Sequence, residues 1–303
     1  MYLDTQRKGG SSKKAINFLL GLLFLWFTAD RTVSFLLEKV LLHSNFRFSK
    51  IYSGNACAEV LILGNSRGVN GFFSPKIEED TGLKTLNLSY NGLSIKTARL
   101  LLEDYLESNE PPNILLLEVT NLGTVRVNEN ISQLYGGFSH RLQESWEKSN
   151  PQFARLQKYF AQTNRYNGEL FMRAMYYINK TDQNWINRYE ISDAYVRNYV
   201  ARKQAQGLTT IDTSAMEELA HISSICLKHE IRLIPIITPI APILFKEIDG
   251  YEEWVVQIDT IIEQPLIDLG RELDELQYFA DALHMNFNGF IELYPTLKKK
   301  IFE

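Results

Sequence analysis

Short apolar runs alternate with amphipathic segments along most of the chain, a pattern that predicts a parallel β-sheet covered by helices. The runs are rich in Val, Ile and Leu and end in Gly, Pro or polar residues, as is typical of strands buried on both faces. Predicted strands cover residues 59–63, 84–88, 114–117, 232–239 and 266–268. Predicted helices cover residues 74–82, 94–108, 213–229 and 251–262, and a final helix begins near Asn288. The order of these elements indicates a doubly wound α/β fold.

The N-terminal segment departs from this pattern because it is apolar on every face. Residues 15–29 carry no charge, and Lys13 and Lys14 directly precede them. This arrangement predicts a membrane-spanning helix that continues as an amphipathic helix. A cleaved signal peptide is less favoured, since residues 30–37 lack a clear small-x-small cleavage site. An apolar helix buried in a soluble domain is the remaining alternative.

The predicted organisation has three parts: residues 1–14 form a cytoplasmic tail, residues 15–42 form the membrane anchor helix and its extension, and residues 43–303 form the globular domain. Basic residues flank the anchor on its N-terminal side, which by the positive-inside rule leaves the tail in the cytoplasm. The sequence therefore predicts a single-pass membrane protein whose globular domain lies on the extracytoplasmic side.

A long segment between the third and fourth predicted strands lacks strand signals. Residues 125–208 are dense in Tyr, Phe, Trp, Asn, Gln and Arg and are predicted to form a helical insertion. The insertion follows the carboxyl end of a strand, where open α/β sheets build their sites, so it could form a lid or an acceptor-binding surface. A role in packing alone is the other interpretation.

Composition limits the classes of protein and partner that fit. The 303 residues suffice for one large domain with a short appendage, and 22% charged with 45% hydrophobic residues is ordinary globular usage. The net charge of −4 without a stripe of Lys and Arg argues against a nucleic-acid partner. The two cysteines, Cys57 and Cys226, form no C-x-x-C zinc motif. Their apolar neighbours favour buried free thiols, and a single disulfide between the two remains an alternative.

Two distant clusters supply the residue types for nucleophilic catalysis. The carboxyl ends of parallel strands share one edge of a sheet, so Ser66, Gly92 and Asn121 should come to the same rim. A serine hydroxyl needs a base to remove its proton, and His284, oriented by Asp281, could supply it. The backbone N–H groups of Ser66 and Gly92 and the side-chain amide of Asn121 could form an oxyanion hole. Such acyl chemistry needs neither metal nor nucleotide, so no cofactor is predicted.

Four sequence blocks around these residues resemble those of the SGNH/GDSL hydrolase family. They are Gly64-Asn65-Ser66 in place of Gly-Asp-Ser, Asn91-Gly92 as the second block, Val119-Thr120-Asn121 as the third, and Asp281-Ala282-Leu283-His284 as the closing Asp-x-x-His. The resemblance covers residues 59–295 apart from the insertion. It implies a flavodoxin-like three-layer α/β/α fold, with Ser66, Gly92, Asn121 and His284 as the Ser-Gly-Asn-His set. The chain departs from the family at Asn65, where aspartate is usual, and at Val119, where glycine is usual.

An N-terminal anchor joined to such a domain is similar to extracytoplasmic proteins that O-acylate bacterial polysaccharides or load D-alanine onto teichoic acids. The resemblance implies a polymer acceptor in the cell envelope and a multi-spanning membrane acyltransferase as a partner. The leading hypothesis is a membrane-anchored serine esterase or O-acyltransferase, with water or a sugar hydroxyl as the acceptor. The alternatives are a catalytically inactive scaffold with the same fold and a secreted lipase-like esterase.

Several other side chains have more than one interpretation. Arg67 could cap the sheet, face solvent or bind an anionic group of the substrate. Glu118 and Asp268 could form the carboxylate pair of a glycosidase, although nothing in the sequence places them face to face. Six aromatic residues of the insertion could stack on sugar rings or pack between helices: Trp146, Tyr159, Phe160, Tyr176, Tyr177 and Trp185.

Overall fold

The computed structural model describes residues 8–120, 122–181, 185–199, 201–262 and 264–303. The chain divides into two compact units. The anchor unit comprises Met1–Ser44 and Glu129–Asn179, and the sheet unit comprises Asn45–Asn128 and Lys180–Glu303. The predicted insertion is therefore shared, because residues 129–179 belong to the anchor unit, whereas residues 125–128 and 180–208 belong to the sheet unit.

The sheet unit contains a parallel sheet of five strands among its described residues. The strands are β1 (Val60–Leu63), β2 (Thr85–Asn87), β3 (Ile114–Glu118), β4 (Arg232–Ile237) and β5 (Ile267–Asp268). Their order is β2-β1-β3-β4-β5, and all four pairings are parallel. The α/β class and all five predicted strands are confirmed, and each observed strand ends within two residues of its predicted bounds.

Helices connect the strands and make up most of the remaining described chain. In chain order they are α1 (Lys8–Leu42), α2 (Arg47–Tyr52), α3 (Ser66–Gly71), α4 (Ser74–Thr81), α5 (Ile95–Ser108), α6 (Glu129–Tyr135), α7 (His140–Ser149), α8 (Pro151–Tyr159), α9 (Glu169–Tyr176), α10 (Asp193–Asn198), α11 (Ala201–Leu208), α12 (Thr213–Lys228), α13 (Pro242–Phe245), α14 (Tyr251–Ile261) and α15 (Phe287–Phe302), with 3-10 turns at Gln162–Tyr166 and Leu276–Tyr278. Side-chain caps begin several of them; for example, Ser94 accepts a hydrogen bond from the N–H of Thr97 at the start of α5.

The core lies on both faces of the sheet. Strands β1 and β3 are buried at every position. Ile62 and Leu116 belong to one buried cluster with Phe290 and Leu297 of α15. Successive strand side chains point to opposite faces, and Leu61, which neighbours Ile62, is equally buried. Both faces are therefore covered, which explains why the sequence of these strands is continuously apolar.

The anchor unit combines α1 with the helices α6 to α9. One described helix is long and apolar enough to cross a membrane, over Lys13–Leu42. Large apolar side chains between Ile16 and Phe27 are exposed along this helix. The 3-10 turn at Gln162–Tyr166 and helix α9 contact α1 within this unit.

The two cysteines do not pair. Cys226 is buried in α12, where burial raises the pKa of its thiol to about 12, as a structural thiol is expected to show. Cys57 is exposed, so the expectation of a buried thiol is wrong at that position. The disulfide left open by the sequence does not form between these residues.

Candidate active site

Ser66 lies where the chain changes from strand β1 to helix α3. At Gly64, a Cβ would lie 2.6 Å from the Cβ of Glu118 on β3, so the absence of a side chain lets the two strands' ends approach closely. Asn65 is the N-cap of α3, and its side-chain oxygen accepts a hydrogen bond from the N–H of Arg67 at 2.7 Å. Asparagine and aspartate serve about equally well as N-caps, so Asn65 keeps the turn where the resembled motif has aspartate.

The Gly64→Ala substitution is expected to lower the free energy of unfolding by about 1–3 kcal/mol, because the added methyl group must displace Glu118. Gly207→Ala is the matched control, since a Cβ there meets no atom within 4 Å. In helix α11 that change should be neutral or stabilise the protein by up to about 1 kcal/mol. Urea denaturation of the detergent-solubilised chain measures both. Equal stability of the two variants would contradict the close approach.

Asp281 and His284 lie on a short loop held by hydrogen bonds to its own backbone. The N–H of Ala280 donates to the carbonyl oxygen of His284 at 2.9 Å and closes the loop. Asp281 Oδ1 accepts from the N–H groups of Leu283 at 2.8 Å and His284 at 2.9 Å. These bonds explain why an aspartate three residues before the histidine brings the two side chains together.

The structure brings Ser66, His284 and Asp281 into one hydrogen-bonded chain. The distance from Ser66 Oγ to His284 Nε2 is 2.7 Å, and His284 Nδ1 lies 2.8 Å from Asp281 Oδ2. The carboxylate favours the tautomer with a proton on Nδ1, which leaves Nε2 free to accept the serine proton. All three residues are partly buried. The arrangement can chemically activate a serine hydroxyl as a nucleophile.

The electrostatic setting of Asp281 keeps its carboxyl group ionised. Burial alone would raise the pKa of Asp281, but hydrogen bonds and charge from His284 and the N–H of Leu283 outweigh it and lower the pKa below the ordinary value. A charged carboxylate at neutral pH both orients the imidazole and stabilises its protonated form.

Arg67, the residue after Ser66, is almost fully buried and caps the carboxyl edge of the sheet. Its Nη1 donates to the carbonyl oxygen of Leu283 at 2.8 Å, and its Nη2 donates to those of Thr238 and Pro239. Its Nε lies 3.4 Å from Glu118 Oε1. The sheet-capping interpretation is confirmed and the solvent-facing one is wrong. All three guanidinium nitrogens have partners within the protein.

Glu118 at the end of β3 balances the buried charge of Arg67. Its side chain is fully buried, and Oε1 also accepts hydrogen bonds from Thr120 Oγ1 at 2.5 Å and Thr238 Oγ1 at 3.3 Å. Burial lowers the pKa of Arg67, whereas the Glu118 carboxylate opposes that shift. Asp268 instead accepts from the hydroxyl of Tyr251 at 2.6 Å. Glu118 thus pairs with an arginine and not with a second carboxylate.

The structure describes the position of one predicted oxyanion donor, Gly92, but not that of another, Asn121. Gly92 lies in the turn after β2 with a φ of 71°, and the N–H of Leu93 donates to the carbonyl oxygen of Tyr90 across that turn. The N–H of Tyr90 donates to Gly64 at 3.1 Å, which joins the turn to the segment that enters α3. The donor role of Gly92 stays a prediction. Asn121 lies outside the described residues.

The last part of the predicted insertion packs against the loop that carries the histidine. The N–H of Ile191 donates to the carbonyl oxygen of Phe279 at 2.8 Å, and the N–H of Phe287 donates to Asn187 at 2.8 Å. Asn187 in turn donates its N–H to the side chain of Asn70 in α3 at 2.9 Å. This part of the insertion therefore supports both sides of the candidate site.

Tyr195 of helix α10 and Tyr199, which directly follows that helix, lie near the same loop, and the sequence analysis did not single them out. The rings of Tyr195 and Tyr199 stack with their centroids 5.3 Å apart. Burial raises the pKa of both phenols, to about 12 for Tyr199, and the charge of Asp281 contributes to each shift. Their proximity to Asp281 depends on tertiary packing, which no local sequence signal shows.

Solved structures include weak likenesses to this chain. No protein-family model matches the sequence, and no curated protein matches it. Among solved structures, one is described as the crystal structure of TesA. The TM-score is 0.38 at 13% sequence identity, over 79% of this chain and 98% of that chain.

A cavity of about 350 Å³ in the sheet unit lies along the outer edge of β2. Arg47, Lys50 and Trp185 contribute to its lining, and the three residues of the hydrogen-bonded chain do not. Burial lowers the pKa of Lys50 there. Among the described residues, no cluster of three or more His, Cys, Asp or Glu side chains could hold a metal ion.

Proposed function

We propose that this chain is a membrane-anchored serine esterase or O-acyltransferase of the SGNH type. The observation that carries the proposal is the hydrogen-bonded chain from Ser66 Oγ through the imidazole of His284 to the carboxylate of Asp281. The four blocks that resemble the SGNH/GDSL family contain the same three residues. In this function Ser66 is the nucleophile, His284 is the general base and then the general acid, and Asp281 orients His284.

The proposed reaction has two half-reactions. Ser66 Oγ forms a bond to the acyl carbonyl carbon while His284 Nε2 takes the hydroxyl proton. The backbone N–H groups of Ser66 and Gly92 and the side-chain amide of Asn121 are the proposed donors to the oxyanion. His284 then gives its proton to the leaving oxygen, and the acyl group stays on Ser66. Water or a sugar hydroxyl finally takes the acyl group, with His284 again accepting and returning the proton.

The arrangement of the sheet supports the SGNH assignment. The order β2-β1-β3-β4-β5 is that of flavodoxin-like folds, in which ligands bind outside the carboxyl ends of the strands at the β1–β3 switch point. Ser66 follows β1 at this point, and buried strands imply helical layers on both faces. We therefore assign the sheet unit to a three-layer α/β/α fold of the SGNH hydrolase type.

The proposed setting is the extracytoplasmic side of a membrane. The apolar N-terminal part of α1, within the helix Lys13–Leu42, would anchor the chain, with the basic N-terminal tail in the cytoplasm. The proposed acceptor is a polysaccharide or similar polymer of the cell envelope, and the proposed acyl donor partner is a multi-spanning membrane acyltransferase. Both follow from the resemblance to anchored envelope-acylation proteins.

A fluorophosphonate probe tests the nucleophile directly. The full-length protein in detergent should gain one adduct by intact mass, and Ser66→Ala should gain none, because the probe reacts with an activated serine. His284→Ala should label far more slowly. Ser214→Ala, which alters an exposed serine of α12, should label like the wild type. Absence of an adduct on folded wild-type protein would overturn the proposal and favour a catalytically inactive scaffold.

Asp281→Asn is expected to lower kcat for a soluble ester by about 10³–10⁴-fold, because the amide presents a donor to Nδ1 and stabilises the wrong tautomer. The substitution also tests the lowered pKa of Asp281. A carboxyl whose folded pKa lies below its unfolded value stabilises the protein above about pH 4, and this contribution disappears as the pH falls through the folded value.

The stability difference between wild type and Asp281→Asn should therefore be largest at neutral pH and should shrink below about pH 4. Chemical denaturation across this pH range measures it. Asp274→Asn, at an exposed aspartate of the same segment, is the matched control for the loss of one charge. A stability difference that does not change with pH would show that Asp281 is not held by its ionised contacts.

A further inference from the structure

Helix α8 in the anchor unit carries an exposed apolar stripe. Phe153, Leu156 and Tyr159 follow one another at spacings of three residues, which places them along one side of the helix, and Phe160 directly follows as its C-cap. Between 46% and 57% of each side chain is exposed. A contiguous group of four large apolar side chains marks an interaction surface, whereas single exposed residues do not.

Packing against α7 fixes the direction of this stripe. Ala154 and Gln157, on another face of α8, are buried. The indole N–H of Trp146 in α7 donates to Gln157 Oε1 at 2.9 Å. Because this side of α8 is bound inside the unit, the stripe is held outward in a defined orientation.

Hydrogen bonds join the C-terminal end of α8 and the residues after it to Asp30 and Arg31 of the apolar helix α1. Arg31 Nη2 donates to the carbonyl oxygen of Tyr159 at 2.8 Å. Asp30 accepts hydrogen bonds from the N–H of Thr163 at 3.0 Å and from its hydroxyl at 2.6 Å. Carbonyl groups at a helix end have no partner within the helix, and Arg31 supplies one. Such satisfaction of backbone groups is required where water is scarce.

The length of α1 is compatible with the level of Asp30 and Arg31 lying near one boundary of the hydrocarbon core. An α-helix rises 1.5 Å per residue, so Asp30 lies about 24 Å along α1 from Lys14. The hydrocarbon core is about 30 Å thick. If Lys14 lies at the first boundary, Asp30 and Arg31 reach the region just inside the second boundary, and the end of α8 lies beside them.

We infer that the α8 stripe lies in the interface of the lipid bilayer and forms a second contact of the anchor unit with the membrane. The inference rests on the membrane anchor of the proposed function. Aromatic and leucine side chains partition into this interface, and the phenol of Tyr159 can keep its hydroxyl among the lipid headgroups. Two contacts fix the rotation of the anchor unit about α1, which a single spanning helix leaves free.

Spin labels at three positions test this contact in the full-length chain. Cys57→Ser and Cys226→Ala remove the native thiols, and one cysteine is then introduced by Phe24→Cys, Leu156→Cys or Met172→Cys. Met172 is the matched control, because it is exposed on α9. The backbone oxygen of Ala174 in α9 accepts a hydrogen bond from Ser44 Oγ at 2.5 Å. Ser44 follows Asp30 by 14 residues, which at 1.5 Å per helical residue places it about 20 Å farther from the bilayer than Asp30.

The labelled proteins are placed in phosphatidylcholine vesicles, and collisions with oxygen and with a water-soluble nickel chelate are compared. At Phe24→Cys and Leu156→Cys, oxygen should collide several-fold more often than the chelate, and at Met172→Cys the ratio should reverse. If oxygen collides more often at Phe24→Cys but the chelate collides more often at Leu156→Cys, the inference is overturned and the anchor stands. A partner protein would then be the occupant of the stripe. An aqueous signal at Phe24→Cys would overturn the anchor and the inference together.

Discussion

Ser66→Ala is expected to lower kcat for hydrolysis of a soluble ester such as p-nitrophenyl acetate by about 10⁴–10⁶-fold, and His284→Ala by a similar factor. Because Ser66 Oγ and His284 Nε2 are 2.7 Å apart, we expect the two residues to act together as a nucleophile and its base. Removing either partner removes the activated nucleophile, so the second substitution has little left to remove. The double variant should therefore be no slower than the slower single variant.

Steady-state kinetics of the four proteins, each checked for folding by circular dichroism, measures this double-mutant cycle. Ser214→Ala controls for the loss of a hydroxyl elsewhere in the sheet unit and should keep the wild-type kcat. Multiplicative losses in the double variant would mean that Ser66 and His284 act independently, which contradicts a base that activates the serine.

The second large effect is expected at Arg67. Arg67→Met should lower the free energy of unfolding by about 3–5 kcal/mol, because the Glu118 carboxylate would stay buried without its counter-charge. For a chain of this size such a loss lowers the Tm by about 5–8 °C. The carbonyl groups of Leu283, Thr238 and Pro239 would also lose their donors.

Thermal denaturation of Arg67→Met and Glu118→Leu, alone and combined, separates the charge from the packing. The double variant should be more stable than the sum of the two losses predicts, because no buried charge is left unpaired. Strict additivity would show that the two side chains do not interact.

Arg67→Lys tests whether Arg67 positions the loop before His284. Lysine keeps the charge but lacks the planar guanidinium group that reaches several carbonyl groups at once. We expect it to lower kcat with little change in KM, because the loop before His284 loses its tether.

The sheet and the place of Ser66 could be anticipated from the sequence for one physical reason. Apolar runs between amphipathic helices specify parallel strands, and parallel strands place their carboxyl ends together. Ser66 lies at this edge for that reason, whereas His284 lies in the loop between the 3-10 turn Leu276–Tyr278 and α15, and the Asp-x-x-His block pointed to it through the family resemblance. Asn65 could be read as a turn residue because N-caps depend on local geometry alone.

Other features depend on contacts that no local pattern encodes. Arg67 has the sequence surroundings of an exposed residue at a helix start, and its burial follows from the loops after β4 and before His284. The proximity of Tyr195 to Asp281 depends on how the last part of the insertion folds back. The division of the insertion at Asn179 likewise follows from packing and not from composition.

Ser66 and His284 are separated by 218 positions, and this separation fixes the order in which the two residues are synthesised. Protein synthesis adds about 5–20 residues per second, so Ser66 emerges about 10–45 s before His284 is made. During that interval the serine is an ordinary alcohol without a base. In the proposed function, acyl transfer can begin only after the C-terminal segment has been released and docked, so a growing or truncated chain would carry Ser66 without the base that activates it.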